Sequence, residues 1–290
     1  MEFITNWKDR WPINRLCNVL KVSESGYHKH VRYSSRPPRH ADLLAQIHEL
    51  LQEDEENSNY GVRRIFDYLR LNKGYAGSYS TILRLCRDNN LMIRCKRKPK
   101  GLTRADAAAQ KAENLIQQDF TADAPNRKWL TDITEVPCQD GKLYLAPVMD
   151  CYDGMIVGFK SDDNMRAGLC VEAFQRACRA HEATGMILHS DRGSQYTSHI
   201  FREALSKAEA IQSMSGTGRC YDNARMESFF ATLKKEKLYR LDTTKLTKDE
   251  VKTIIFRYIY YYNRRRIYST NQGMPPLMKR EQYYSALLAA

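Results

Sequence analysis

Three of the 34 Asp and Glu residues in this 290-residue chain stand out by their settings. Asp132 interrupts the β-forming run WLTDITEV, where Leu130, Asp132 and Thr134 alternate with Thr131, Ile133 and Glu135. A carboxylate inside such a strand is costly unless it is paired or holds a cation. Asp191 ends MILHSD and precedes RGSQYTS, a strand giving way to a helix, which is where an α/β sheet presents its site. Glu227 lies in YDNARMESFFATLKKE, whose Met226, Phe229, Phe230 and Leu233 form an apolar helical stripe. Helical spacing sets Glu227, Ala231 and Lys234 along a neighbouring face, so that Lys234 can meet a phosphate near the acid. Singly, the three acids read as a cross-strand pair, a helix cap and a surface ion pair. Together they form an all-oxygen donor set suited to Mg²⁺. Two such ions, about 4 Å apart, neutralise the attacking and leaving oxygens of an in-line phosphoryl transfer.

The elements that must carry these acids are legible around them. KWLTDITEVPC and KLYLAPVMDCYDGMIVGFKS, with turns at Asp140-Gly141 and Asp153-Gly154, predict three antiparallel strands. A helix over Ala167 to Glu182 leads to the strand GMILHSD. A helix over Ser198–Ala208, the segment IQSMSGTGRCY and a helix over Asp222–Tyr239 follow. Three strands, helix, strand, helix, strand, helix is the order of a ribonuclease-H-like α/β core, a mixed five-stranded sheet flanked by helices. Periodicity alone does not fix that fold.

Ahead of this core the chain is basic. Residues 1–104 hold 20 Lys/Arg against 11 Asp/Glu, and the remainder 26 against 23, out of a formal net charge of +12. That balance points to a polyanionic partner. INRLCNVLKVSESGYHKHV reads as a helix, a turn and part of a second helix, and Arg36-Pro37-Pro38-Arg39 as a basic linker. DLLAQIHELLQE predicts a helix. The stretch from Tyr60 predicts a helix carrying Val62, Ile65, Phe66 and Leu69, a turn with Gly74 and Gly77, and a helix from about Ser80, a helix-turn-helix plan. The expected organisation is an N-terminal helical segment over 1–35, a helix-turn-helix-like domain over 36–101, a linker helix over 102–122, the catalytic core over 123–245 and a helical, basic extension over 246–290. Arg63 and Arg64, and the run Arg94, Lys96, Arg97, Lys98 and Lys100, are candidate DNA contacts. The eight cysteines form no CxxC pair and no long apolar run interrupts the chain, which points to a reducing cytosol and no membrane partner. His28, His30, His40 and His48 gather near Cys17 without a cysteine pair to complete a zinc set, so zinc is not expected.

The words YGVRRI, WLTDIT, HSDRGSQYTS, SMSGTGRCYDNARMESFFATLKKE and YYNRRRIYSTNQGMPPLM resemble those of the DDE transposases of the retroviral-integrase superfamily. Within it, they resemble the second-reading-frame product of the insertion-sequence-three family, from about Leu16 to Met278. The resemblance implies a ribonuclease-H-like core, a Mg²⁺ or Mn²⁺ requirement with two ions per site, and a catalytic trio at Asp132, Asp191 and Glu227. It implies hydrolysis at a transposon end followed by attack of the freed 3′-OH on a second phosphodiester. Double-stranded transposon ends and target DNA are the implied substrates, a homo-oligomer of at least two copies the implied assembly, and the first-reading-frame product a further partner. A bacterial cytoplasm, at the nucleoid, is the implied setting.

Residues near the trio take roles on the same pattern. Arg192, Gln195, Tyr196, Lys234 and Lys235 are expected at DNA, with Gln195 and Tyr196 holding a strand end or flipped base, against helix-start packing as the plainer reading. Arg264, Arg265 and Arg266 are expected to grip phosphate. Asp222 and Asn223 read as the cap of the Glu227 helix, His189 as a satisfied strand-end histidine, and Asp150 as outside the trio. The loop GTGRCY is expected to let Glu227 dock when DNA is present. No heptad run opens the chain, a departure from the fused form of such enzymes, so recognition of terminal repeats is the least defined role. A structure-selective nuclease using the same acids, and a DNA-binding regulator of transposition with an inactive core, are the competing readings.

Overall fold

The computed structural model describes residues 1–34, 40–93, 112–216 and 220–289. They form two compact units, Met1–Leu50 and Leu51–Ala290. In the first, helices α1 (Glu2–Trp7), α2 (Ile13–Val19) and α3 (Glu24–Ser34) enclose a small core of Ile4, Cys17 and Tyr27, with Ile13, Leu16 and Val22 packed on it. Helix α1 was not among the sequence expectations. Helix α4 (Ala41–Glu53) spans the division between the units.

The second unit begins with a 3-10 turn, Glu55–Asn59, and the helix pair α5 (Val62–Asn72) and α6 (Tyr79–Asp88). Val62, Ile65, Phe66 and Leu69 are buried on α5, and Ile82 and Cys86 on α6. Ser78 caps α6 by accepting from Thr81 N–H at 3.3 Å. The described part of the expected linker helix, residues 112–122, is not helical; residues 102–111 lie outside the described residues. Tertiary bonds override its propensity: Leu115 N–H donates to Ser213 Oγ at 3.0 Å, and Met214 N–H to Glu113 O at 3.1 Å.

The sheet follows the ribonuclease-H-like order. Strands β1 (Lys128–Thr131) and β2 (Thr134–Cys138) pair antiparallel with β3 (Gly141–Asp150), whose other edge takes β4 (Ile156–Asp162). Helix α7 (Ala167–Ala180) crosses over to β5 (Ile187–Ser190), which is parallel to β1. Short α8 (Ser194–Thr197) and α9 (His199–Lys207) lead to β6 (Ile211–Met214), parallel to β5. The sheet has six strands where five were expected, because the first is split at Asp132 and Ile133. Its register is unbroken: Thr131 faces Val148 and Thr134 faces Leu145, three residues on along each chain. Gly158 lets α7 lie close on β4, since a Cβ there would stand 2.6 Å from Ala177 N. Trp129, Val148, Phe174, Leu188 and Phe201 belong to the core beneath α7 and α9.

Helix α10 (Ala224–Glu236) follows a 3-10 turn, Cys220–Asn223, and carries the expected stripe Met226, Phe229, Phe230 and Leu233 into the interior. Helix α11 (Lys248–Arg264) starts with a capping box between Thr247 and Glu250. Helix α12 (Pro276–Ala289) ends the described chain. Its Arg280 is buried, donating to Asp150 Oδ2 at 2.6 Å and Asp153 Oδ2 at 2.7 Å. The expected C-terminal extension is therefore tied into the core by a buried ion triad. Among the described residues no helix is long and apolar enough to cross a membrane.

Candidate active site

The register of the parallel pair β1–β5 sets two of the three acids side by side. Leu130 faces His189, so Asp132 and Asp191, each two residues further on, occupy equivalent positions beyond the ends of neighbouring strands. Asp132 is half-buried and its Oδ1 accepts from Ile133 N–H at 2.8 Å. Asp191 is exposed and its Oδ1 accepts from Gly193 N–H at 3.0 Å. Glu227 comes from the first turn of α10, on its exposed side.

Burial, with the charges of Asp191 and Glu227, pushes the Asp132 carboxyl up to about 7, against the pull of the Ile133 N–H and of Lys234. Asp191, though solvent reaches it, lies among enough protein for desolvation to raise it as well, opposed by the Gly193 N–H. Lys234, half-buried two turns beyond Glu227, is lowered by burial against the attraction of Glu135 and Asp132. A pair of crowded acids with raised proton affinity is one that a divalent cation relieves, and its oxygen-only donors fit Mg²⁺ or Mn²⁺. Among the described residues no three His, Cys, Asp or Glu side chains are grouped closely enough to hold one ion. The charges of Asp191 and of Glu227 both reach Asp132.

A second layer of bonds ties these elements together. Thr131, next to Asp132, is buried; its Oγ1 donates to Pro147 O at 2.9 Å and lies 3.1 Å from Tyr196 Oη. Thr131 O accepts from Asn223 Nδ2 at 3.1 Å, joining the start of α10 to the end of β1. Asn223 is the N-cap residue of α10 by position, but its side chain makes no bond to the helix. The expected side-chain cap is thus replaced by a strand-to-helix tie. Asp222 does not cap either: it accepts from Gly216 N–H at 2.8 Å, Asn114 Nδ2 at 2.9 Å and Gln118 Nε2 at 3.0 Å, drawing the ends of the Gly216–Asp222 loop together. Within that loop residues 217–219 lie outside the described residues. His189 is buried between Ser213 Oγ at 2.8 Å and Ser215 Oγ at 3.2 Å, and burial lowers it to about 4, so it stays neutral and structural. Asp150 faces Trp129, three positions back from Asp132 along β1, and belongs to the Arg280 triad. Sequence reasoning missed Thr131, Asn114 and Gln118; only the Asp222-Asn223 pair ahead of the helix carried a signal.

The integrase core domain family matches residues 122–220, a second integrase core domain family residues 209–276, and an HTH-like domain family residues 39–99. InsK of insertion sequence element IS150, from Escherichia coli K12, is 32% identical over 98% of this chain and 99% of its own length. The transposase InsF of insertion sequence IS3A, from the same organism, is 32% identical over 99% of each chain. The chain belongs to the IS3-family insertion-sequence transposases. A transposase of insertion sequence IS1353 from Shigella flexneri is 33% identical over 92% of this chain but only 52% of its own length. Among solved structures, a chain of the simian T-cell lymphotropic virus intasome has a TM-score of 0.49 at 15% identity, covering 77% of this chain and 71% of that one.

In this DDE-type transposase several basic and aromatic residues expected at DNA have other occupations. Tyr196 is 1% exposed, edge-on to Phe201 with ring centres 5.2 Å apart, so its ring packs in the core. Arg266 is 5% exposed and donates twice to Glu236, at 2.9 Å each. Arg64 is half-buried and reaches the same Glu236 at 2.6 Å. Both invite a phosphate reading in the sequence because their acceptor lies far away along the chain. Arg265 pairs with Asp54 at 2.9 Å, and Arg63 with Asp67 at 3.2 Å on the surface of α5. Gln195 donates to Met165 O at 3.0 Å. Arg192 is half-buried beside Asp191, Lys235 is exposed, and Arg264 is exposed with its guanidinium 4.7 Å from the Tyr260 ring centre. Arg94, Lys96, Arg97, Lys98 and Lys100 lie outside the described residues, as does the Arg36–Arg39 linker.

Proposed function

We propose that this transposase cleaves transposon ends and transfers their strands at a divalent-metal site made by Asp132, Asp191 and Glu227. The observation that supports this most is the pairing of Asp132 and Asp191 in one register beyond adjacent parallel strands, with the proton affinity of Asp132 raised by both other acids. Asp132, Asp191 and Glu227 would hold Mg²⁺ or Mn²⁺, as two ions, which would supply Lewis-acid charge to the attacking and departing oxygens. Asp132 and Asp191 hold the standing half of the site, and Glu227 completes it from α10 when DNA is seated. Lys234, on the same helix beside Asp132, steadies a phosphate oxygen. Water is the first nucleophile, and the freed 3′-OH is the second. The same trio serves both steps, with no covalent protein–DNA intermediate.

On this reading residues 36–101 grip DNA, 123–245 perform the chemistry, and 246–290 brace the core. The enzyme works on double-stranded DNA as at least a dimer, since two ends must be brought together, and a first-reading-frame product is a candidate partner. Its place is the bacterial cytoplasm, on the chromosome. The test is a joining assay with precut ends, Mg²⁺ and a plasmid target. Joined product is expected, and Asp132→Asn and Glu227→Gln each lower it by at least about a thousandfold, the scale of losing a metal-held charge in the transition state. Hydrolysis without joining indicates a nuclease, and unchanged activity in both variants removes the trio.

A further inference from the structure

Glu236 lies on the last turn of α10, nine residues beyond Glu227. Its side chain is 12% exposed and accepts four bonds. Oε1 takes Arg64 Nη2 at 2.6 Å and Arg266 Nη2 at 2.9 Å; Oε2 takes Arg266 Nε at 2.9 Å and Tyr258 Oη at 2.7 Å. The two guanidiniums and Tyr258 outweigh burial and hold the carboxyl down at about 2. Further bonds join the same segments. Lys237 pairs with Glu55 and Glu56, Tyr60 Oη donates to Arg265 O at 3.1 Å, and Tyr261 Oη donates to Asn57 Oδ1 at 3.2 Å.

Residues 54–64, within the HTH-like match, therefore grip the far end of the helix that carries Glu227. The near end is held separately, by the Asn223 bond to Thr131. A 13-residue helix is a stiff strut, so a shift at Glu236 moves Glu227 with little loss along the roughly 13 Å between them. We propose that Glu236 is a positioning residue: the grip of Arg64 and Arg266 on it sets the reach of Glu227 toward Asp132, so the HTH-like module controls the geometry of the catalytic helix. This rests on reading Glu227 as the third metal ligand. In it, Arg64 of YGVRRI acts through Glu236 and makes no phosphate contact.

The test compares Arg64→Ala and Arg64→Lys with the parent in the full chain. With Arg64→Ala, joining at saturating end DNA is expected to fall about tenfold and amide exchange over 224–230 to quicken by a similar factor, the scale of losing one charged hydrogen bond. End-DNA Kd and its salt slope stay within about twofold. Arg64→Lys, which keeps a charged donor, restores most of the rate. Weaker DNA binding with an unchanged saturated rate, or unchanged exchange, overturns the proposal. If Arg64→Ala fails to fold, Tyr258→Phe removes one donor to Glu236 and leaves the charges; it must shift exchange and rate in the same direction, and no shift overturns the proposal. A Glu227→Gln control separates the two readings: if it still joins DNA, the role of Glu227 fails, while the exchange result continues to judge the Arg64–Glu236 coupling.

Discussion

Replacing Asp132 by Asn should abolish joining and yet stabilise the metal-free protein, and the structure gives the size and pH range of that gain. The Asp132 carboxyl is raised from an ordinary 3.8 to about 7 by burial and by Asp191 and Glu227. Each pKa unit is about 1.4 kcal/mol, so ionising Asp132 in the folded protein above pH 7 costs about 4 kcal/mol relative to the unfolded chain. Water at its half-open edge screens this, and about 2 kcal/mol is the expected net effect. The sign follows from proton binding. Between pH 4 and 7 the folded state holds the proton that the unfolded state has lost, so stability declines as pH rises through that window. Asn keeps the Oδ1 acceptor for Ile133 N–H and carries no charge. In EDTA at pH 8, Asp132→Asn should therefore melt roughly 4–8 °C higher than the parent, and the two should converge only as the pH falls below about 4. Adding Mg²⁺ should raise the parent's Tm and leave the variant's nearly unchanged. A variant less stable than the parent at pH 8 in EDTA, or a gain independent of pH, refutes the shared-field reading of these acids.

Two further substitutions test buried contacts of the core. Tyr196→Phe keeps the ring against Phe201 and loses the bond to Thr131 Oγ1; about 1 kcal/mol of stability should go in a urea melt, with end-DNA affinity unchanged. A large loss of affinity would return Tyr196 to the DNA surface. Arg280→Met leaves Asp150 and Asp153 buried without their cation and should cost about 3–5 kcal/mol at pH 8. The loss should shrink toward pH 5 as the uncompensated Asp153 takes up a proton, since burial already raises it. A loss as large at pH 5 as at pH 8 would mean that the triad contributes by packing and not by charge.

What was legible in the sequence was local. The β alternation around Asp132, the stripe on α10 and the turn pairs at Asp140-Gly141 and Asp153-Gly154 each depend on neighbours a few residues apart, and each produced its element. The contacts that were not legible depend on partners far along the chain. Arg64 and Arg266 meet Glu236 across 172 and 30 residues, and Arg280 meets Asp150 across 130. A basic residue in a basic chain invites a phosphate reading, and nothing local to Arg64 signals a buried acid. Tyr196 was ambiguous for a related reason: a tyrosine at a helix start serves a ligand or a core equally well, and only the proximity of Thr131 and Phe201 decides. The linker over 112–122 has helical propensity, but its backbone is taken by Ser213 and by a pairing with Met214.

The split of the first strand links these observations to the proposed chemistry. Register is kept across Asp132 and Ile133, so the interruption is one of bonding and not of chain length. Pro147, which faces Asp132 in this register, has no N–H to give the ladder, the Ile133 N–H is taken by the Asp132 carboxyl itself, and Thr131 O is taken by Asn223 from α10. The chain thus leaves the sheet's hydrogen bonding at the residue read as catalytic, and the carbonyl of the residue before it anchors the helix that bears Glu227. Asp132 therefore gains room to turn toward a cation without unzipping β3, and the position of Glu227 is referred to the same strand end. An acid placed one residue earlier, at Thr131, would be buried between Pro147 and Tyr196 and closed to any metal.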